Sequence, residues 1–193
     1  DIGASHFAHV GPVSPLILGG DGASSYDTGA TWHLLDARLG ISVPVVEQKH
    51  FGRVDLSSYT HLLLADGHYR GLSERDQREI TRWVGGGGIL VASGRAARWA
   101  ENLCFERECD DSGNDAPATD ETPRPYSDFD DDHARLVIGG AIVQGLADLS
   151  HPLCYGIRRP LLPLFRQGTV LLEPGVNAYV TPVRYSNDPL LAG

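Results

Sequence analysis

The sequence predicts an α/β fold built on a doubly wound, mostly parallel sheet with helices on both faces. Short apolar runs alternate with helix-like segments through the first half of the chain, in the order strand, helix, strand, helix, strand, helix. Connections of this kind are right-handed and place successive strands parallel in one sheet. A chain of 193 residues is long enough to bury a substantial core, so we expect a single domain over residues 1–193.

The first strand and the first helix are separated by a glycine-rich turn. Leu16–Leu18 is a short apolar run that predicts a strand, and the turn follows at positions 19–22. Asp27 is a suitable cap for a helix that continues to Leu39 and stops at Gly40. The inner face of this helix is predicted to consist of Trp32, Leu35 and Leu39.

Three further runs predict the remaining strands of the sheet. Val43–Val46 is predicted to lie at an edge, because Pro44 cannot donate a hydrogen bond to a neighbouring strand. His61–Ala65 contains three consecutive leucines, which is typical of a parallel strand covered on both faces. Ile89–Ala92 is predicted to be another buried strand.

Two more helices connect and follow these strands. Ser73 and Asp76 have the spacing of a capping box, which opens a helix that ends in Gly85–Gly88. The residues that this helix is expected to bury are Ile80, Trp83 and Val84. A second helix is predicted from Ala96 to about Leu103.

The second half of the chain is less regular and contains the acidic residues that give the protein its net charge. Residues 106–132 hold eleven of the 25 acids and two of the 16 bases, so this segment accounts for the whole formal charge of −9. We interpret it as an acidic loop insertion, exposed and partly disordered, because it lacks apolar periodicity. Apolar order returns at His133–Val143, and strands are predicted at Thr169–Leu172 and Tyr179–Tyr185.

Composition and charge exclude several classes of partner. No basic patch is present, which argues against nucleic acid and anionic membranes. The longest apolar runs have four to six residues, far fewer than the roughly 20 needed to span a bilayer. The chain starts at Asp1 without a signal-peptide pattern, from which we expect a processed or excised piece of a larger protein.

The glycine and metal motifs mostly favour structural roles. Gly85–Gly88 precede a strand instead of following one, so they predict a helix end and not a phosphate loop. Asp128, Asp130 and Asp132 have calcium-loop spacing, but the required Gly and Glu are replaced by His133 and Gly139. No His-Glu-x-x-His or His-x-x-Glu motif occurs, and we expect no metal in this chain. The cysteines are interpreted as unrelated thiols, with a disulfide between the first two as the alternative: Cys104, Cys109 and Cys154.

Ser93 is the position with a geometric argument for catalysis. It follows the predicted strand Ile89–Ala92 and precedes a helix, which is the layout of a nucleophile elbow. Such an elbow lifts the nucleophile beside a helix N-terminus that stabilises an oxyanion. The histidines that might act as a base are His68, His133 and His151.

Several segments together resemble class I glutamine amidotransferase-like domains, and more narrowly the domain of that type found C-terminal to bacterial zinc carboxypeptidases of the carboxypeptidase A type. The broader resemblance rests on the segments Asp55–Leu64, Asp66–Gly67 and Gly88–Ala97. The narrower one rests on Trp32–Leu35, His151–Gly156, Leu162–Phe165 and Asn177–Tyr179. The resemblance extends from about Pro15 to Leu191 and so covers nearly the whole chain.

The resemblance implies a flavodoxin-like sandwich in a secreted or periplasmic protein. It implies that zinc and the peptidase chemistry belong to a preceding domain outside this chain, and that the chain is truncated near Gly193. The sequence also departs from active amidotransferases. Ser93 stands where they have Cys, neither flanking Gly is present, and Leu153 replaces the Glu that would follow His151 and Pro152.

The leading hypothesis is therefore a non-catalytic accessory domain that docks on, positions or stabilises the peptidase domain of the same protein. A small-molecule or peptide pocket is expected at the carboxyl ends of the strands. Its predicted residues are Gly20, Asp21, Asp66, Gly67, His68, Gly94 and Arg95. The alternatives are a hydrolase or amidase with Ser93 as nucleophile and His151 as base, and a sugar- or peptide-binding module that uses the same crevice.

Overall fold

The computed structural model describes residues 11–103, 125–128, 130, 138–170, 177 and 179–193. The chain divides into two compact units, Asp1–Gly113 and Asn114–Gly193, and each is described here by itself. The single domain that the length predicts stays a prediction. Most of the acidic segment 106–132 lies outside the described residues, and so do Cys104 and Cys109, so their predicted states are not addressed by the structure.

The first unit is a four-stranded, all-parallel sheet flanked by helices, which confirms the α/β class and the parallel sheet. The strands and helices, in chain order, are β1 (Pro15–Gly19), α1 (Ser25–Trp32), β2 (Val45–Glu47), β3 (His61–Leu64), α2 (Glu74–Gly85), β4 (Ile89–Ala92) and α3 (Arg95–Glu101). The strand order across the sheet is β2-β1-β3-β4, and every pairing is parallel. Within the described residues β2 lies at an edge, as predicted, but it spans Val45–Glu47 and not Val43–Val46, so Pro44 precedes the strand.

Different helices lie on the two faces of this sheet. Leu16 pairs with Leu62, and Leu62 with Leu90, so these residues form one row across the sheet. That row belongs to the main core, which also contains Ile80 of α2 and Ala96 of α3. The opposite face is approached by α1, since a side chain at Gly19 would contact Thr28.

Helix α1 differs from the prediction in its start and in its packing. Ser24 is the N-cap and its hydroxyl accepts a hydrogen bond from the backbone N–H of Asp27. Asp27 therefore lies inside the first turn, where its charge is favourable near the helix N-terminus. The α-helix ends at Trp32 and continues as a π-helix, His33–Arg38, and neither segment buries a residue. The predicted inner face is wrong, because Trp32 and Leu39 are exposed.

The capping box of α2 is confirmed in both directions. The Ser73 hydroxyl accepts from the backbone N–H of Asp76 at 3.3 Å, and the Asp76 carboxylate accepts from the Ser73 N–H at 2.9 Å. Ile80 is fully buried, with Trp83 and Val84 packed against the core.

Strand β4 is not the buried strand that its apolar sequence predicts. Ile89 is 48% exposed and Val91 is 47% exposed, whereas Leu90 and Ala92 pack on the core. Ile89 and Val91 lie on the face of the sheet opposite Leu90 and Ala92, and within the described residues β4 is also an edge strand that pairs with β3 alone.

The second unit contains a three-stranded antiparallel sheet with the order β6-β5-β7. The strands are β5 (Ile138–Ala147), β6 (Leu161–Gly168) and β7 (Val183–Ala192). The strand predicted at Thr169–Leu172 is wrong at its first two residues, which follow β6, and its last two lie outside the described residues. The last predicted strand is displaced, since it begins at Val183 and not at Tyr179.

Candidate functional site

The carboxyl ends of the four parallel strands bring together most of the residues predicted to form a pocket. The loop after β1 contains Gly20–Ser24, and the loop after β3 contains Asp66–His68. The turn after β4 contains Ser93 and Gly94, and Arg95 begins α3. Strand β2 ends next to Gln48. The sequence predicts a cluster at this edge, because parallel strands all end on the same side of the sheet.

The loops after β1 and β3 are joined directly through their backbones. The Ser24 N–H donates to the Asp66 carbonyl at 2.7 Å, and the His68 N–H donates to the Gly22 carbonyl at 2.9 Å. Ala23 and Gly67 form an antiparallel bridge between these bonds. This contact, the loop bridge, joins the loops at the carboxyl ends of β1 and β3 through main chain.

Glycine is required in the loop bridge because the two backbones lie so close. A Cβ on Gly22 would collide with the His68 carbonyl oxygen, and one on Gly67 would lie 2.5 Å from the Gly22 oxygen. Gly22 also has a φ of +95°, which side chains other than glycine rarely adopt.

Gln48 forms hydrogen bonds with both loops through its side chain. Its side-chain amide donates to the Asp21 carbonyl at 2.9 Å and to the His68 carbonyl at 3.1 Å. The residue is 5% exposed. Sequence analysis did not identify it, because a single glutamine after a short strand carries no distinctive signal.

Tyr69 supports the same loops from within the core. It is fully buried, and its hydroxyl donates to the Ala65 carbonyl at 2.9 Å, close to the Leu18 carbonyl at 3.2 Å. Burial raises the pKa of the phenol, and the nearby Asp66 charge raises it further. The phenol therefore stays protonated and acts as a fixed donor.

Asp66 and Arg95 form the charged centre of the site. The Asp66 carboxylate accepts from the Arg95 Nη2 at 2.8 Å, from Nε at 3.2 Å and from the Arg95 backbone N–H at 2.7 Å. The hydrogen bonds from the guanidinium lower the pKa of Asp66, so the carboxylate is ionised at neutral pH. The remaining guanidinium nitrogen, Nη1, lies 3.3 Å from His68 Nε2.

Gly94 allows this close approach of the carboxylate. Its backbone has φ +56° and ψ −128°, and a Cβ there would overlap the Asp66 carboxylate. A side chain at position 94 would therefore displace Asp66 from the N-terminus of α3.

Ser93 is exposed, but it is not arranged as an activated nucleophile. Its hydroxyl donates to the Leu64 carbonyl at 3.4 Å, and its backbone N–H donates to the same oxygen at 3.1 Å. Among the described residues, no hydrogen bond joins Ser93 to a histidine, and no residue other than glycine has a positive φ. The strained backbone of a nucleophile elbow is therefore missing at Ser93.

Two of the three candidate bases have other partners, and the third lies outside the described residues. His151 belongs to the second unit, where its Nδ1 accepts from the Leu153 N–H at 3.1 Å and caps the short turn Pro152–Cys154. His68 faces Arg95, and His133 lies outside the described residues. The assignment of Ser93 and His151 to catalysis stays a prediction.

The described residues contain no group of three or more His, Cys, Asp or Glu side chains placed to hold a metal ion. Within the same residues, no helix has the length and hydropathy of a membrane span. No protein-family model matches the chain, and no curated protein or solved structure shows significant similarity to it.

Proposed function

We propose that this chain is a non-catalytic accessory domain of a secreted or periplasmic zinc carboxypeptidase, with an amidotransferase-like, flavodoxin-like fold. Its role is to dock on and stabilise the peptidase domain of the same protein, and the zinc belongs to that peptidase domain. The observation that carries the non-catalytic part is the Asp66 carboxylate bound to the Arg95 backbone N–H.

The electrostatics beside Ser93 oppose acyl-transfer chemistry. An oxyanion that develops on a Ser93-bound intermediate needs free N–H donors at the adjoining helix N-terminus. Here the Arg95 N–H already donates to Asp66 at 2.7 Å, and Asp66 is ionised.

The strand order supports the proposed fold. Flavodoxin-like sheets have the order 2-1-3-4-5, and β2-β1-β3-β4 corresponds to the first four positions. The loop bridge supports a structural role for this edge of the sheet, since main chain joins the two loops at the place where such sheets usually bind ligands.

The non-catalytic proposal is tested with a fluorophosphonate probe, which forms an Oγ–P bond with an activated serine and releases fluoride. We expect the wild-type chain and Ser93→Ala to be labelled equally weakly, and to hydrolyse glutamine and p-nitrophenyl acetate at the same background rate. Labelling or turnover that disappears in Ser93→Ala would overturn the proposal.

The accessory role is tested in the parent protein. We expect its gene to encode a zinc-ligand His-x-x-Glu motif upstream of this segment. We also expect deletion of the segment to lower the thermal unfolding midpoint of the peptidase domain, with kcat on a peptide substrate retained. A parent protein without the motif, or a deletion that leaves the midpoint unchanged, would contradict this role.

A further inference from the structure

Strand β7 contains a bulge along its border with β5. Tyr185 pairs with Gly145, but the next pair is Leu190 with Val143, so residues 186–189 of β7 lie opposite a single residue of β5. Extra residues in a bulge are left out of the hydrogen-bonded ladder. Within the described residues, β7 is also an edge strand of its sheet. The peptide bonds of the bulge are therefore outside the regular ladder and at an edge.

The bulge contains the peptide bond between Asp188 and Pro189. No other aspartate in the sequence precedes a proline, and Asp188 is exposed. The proline nitrogen has no hydrogen and belongs to a tertiary amide, which is protonated more readily than an ordinary peptide nitrogen and so leaves more easily. An aspartate side chain also has the length to close a five-membered ring onto the carbonyl carbon of its own residue. Intramolecular attack of this kind is strongly favoured over attack by a separate reactant.

The fold places a hydrogen-bond donor on the carbonyl group of that same bond. The Ser186 hydroxyl, on a partly buried residue, donates to the Asp188 carbonyl oxygen at 3.0 Å. A donor at this position makes the carbonyl carbon more electrophilic. Its hydrogen bond strengthens as negative charge develops on the oxygen during attack, which is how an oxyanion hole acts. Ser186 is thus the positioned donor and the Asp188 carboxyl is the nucleophile.

We infer that the bond between Asp188 and Pro189 is a self-cleavage site whose hydrolysis in acid is accelerated by the Ser186 hydroxyl. An oxygen of the neutral Asp188 carboxyl group attacks the carbonyl carbon of the same residue and forms a C–O bond. The carboxyl proton passes to the Pro189 nitrogen, and the C–N bond breaks with its electron pair on that nitrogen. The cyclic anhydride that results is opened by water, so one product ends with Asp188 and the other begins with Pro189.

The charged surroundings of the nucleophile are simple. Strand β5, which is the neighbour of β7 in the described part of the sheet, contains no charged residue. On β7, Arg184 is the one charged residue besides Asp188. The acid that the reaction needs is therefore supplied by Asp188 itself, and no second carboxyl group on these strands could replace it.

Cleavage would detach the last part of β7 from the chain that precedes it. Leu190 pairs with Val143 and Ala192 pairs with Ile142, and after cleavage these pairings are no longer supported by a covalent link to the rest of β7. The reaction therefore exposes part of β5 whenever the detached segment leaves. The inference goes beyond the accessory role and does not depend on it.

The test is incubation of the 193-residue chain in a mildly acidic buffer, with the products that end at Asp188 and begin at Pro189 quantified by mass spectrometry. The same chain in concentrated guanidinium chloride at the same pH is the reference. We expect the folded chain to be cleaved about three- to tenfold faster, the range of one hydrogen bond, because the fold holds Ser186 on the carbonyl oxygen.

Serine variants separate the donor from a general effect on folding. Ser186→Ala should be cleaved at the rate of the unfolded chain, and Ser186→Thr, which keeps a hydroxyl, should retain the acceleration. Ser150→Ala is the matched control. Its hydroxyl lies in the same unit but donates to the Asp148 carboxylate at 2.6 Å and not to a peptide carbonyl, so this variant should be cleaved like the wild type.

Two further variants test the chemistry of the bond. Asp188→Glu requires a six-membered ring and Pro189→Ala removes the tertiary amide, so each should be cleaved at least about tenfold more slowly. The inference is overturned by equal rates in the folded and unfolded chains, by an unchanged rate in Ser186→Ala, by equal slowing in Ser150→Ala or Ser186→Thr, or by the wild-type rate in Asp188→Glu. None of these outcomes involves Ser93 or a peptidase domain, so the proposed function is tested separately.

Discussion

Asp66 is the residue on which the candidate site is centred. Its carboxylate receives the guanidinium and the backbone N–H of Arg95, while its carbonyl receives the N–H of Ser24. One residue therefore ties the loop after β1, the loop after β3 and the start of α3 together. An acid in this position stabilises the edge of the sheet, and it also occupies the donors that an anionic substrate would use.

Asp66→Asn should destabilise the protein at neutral pH by about 1 kcal/mol, because the ion pair is partly exposed and weakened by solvent. The folded pKa of Asp66 lies below its unfolded value, so its contribution is complete above about pH 4 and is lost as the pH falls through the folded pKa. The difference between wild type and variant, measured by urea unfolding, should vanish in strong acid. A difference that is the same at neutral and acidic pH would contradict the ion pair.

Gly94→Ala should be more damaging than its size suggests. The new Cβ meets the Asp66 carboxylate, and the positive φ is unfavourable for alanine, so we expect a loss of about 2 kcal/mol in unfolding free energy. Chemical denaturation of Gly94→Ala and Gly85→Ala provides the comparison. Gly85→Ala should be neutral or stabilising because Gly85 is helical and open, and equal effects of the two changes would refute the close contact.

At the scale of elements, the start of helix α2 is determined by residues that are close together in the sequence. Its capping box satisfies backbone donors that the first turn leaves free. Ser73→Ala should lower the unfolding free energy by about 1 kcal/mol, whereas Ser73→Thr should retain most of the cap. Thermal unfolding of both variants checks this, and identical midpoints for the two would count against the cap.

Elements with local signals were predictable from the sequence, and those set by distant packing were not. The strands β1 and β3 and the cap of α2 follow from apolar runs and side-chain hydrogen bonds between near neighbours. The exposure of Ile89 and Val91 depends on which distant elements pack on that face of β4. The residues near β4 in sequence do not contain that information. Ser24 and Asp27 are both residue types that cap helices, so residue type alone does not decide between them. The backbone geometry sets the start of α1.

The sequence predicts where the candidate site lies, but it does not predict which side chains in the site bind one another. Strand ends identify where Asp66 and Arg95 meet, because parallel strands finish at one edge. Nothing in the sequence indicates that the Asp66 carboxylate accepts a hydrogen bond from the Arg95 N–H, or that Gln48 supports the loops. These contacts join residues that are 20 to 29 positions apart in the chain.

At the scale of the whole molecule, the buried core of the described residues is concentrated in the first unit. All eleven buried residues of the main core lie between Leu16 and Leu103, and the buried apolar residues of the second unit are Val143, Ala147 and Cys154 in the described part. A three-stranded sheet with so little buried surface is marginal by itself.

We therefore expect residues 1–113 expressed alone to unfold cooperatively and residues 114–193 alone to lack a cooperative transition. The three tryptophans, Trp32, Trp83 and Trp99, all lie in the first unit. Their fluorescence reports its unfolding in guanidinium chloride, while far-ultraviolet circular dichroism reports the second fragment. A cooperative transition in the second fragment, or none in the first, would show that the core is distributed differently.

The loop bridge also has an evolutionary consequence. Gly22 and Gly67 meet backbone to backbone, so neither position can accept a side chain unless the loops move apart. Descendants of a common ancestor that keep both glycines should share the loop bridge, whereas lineages that lost either one should have separated loops and free main-chain donors. Related sequences can therefore be sorted at these two positions into those with joined loops and those with separated loops.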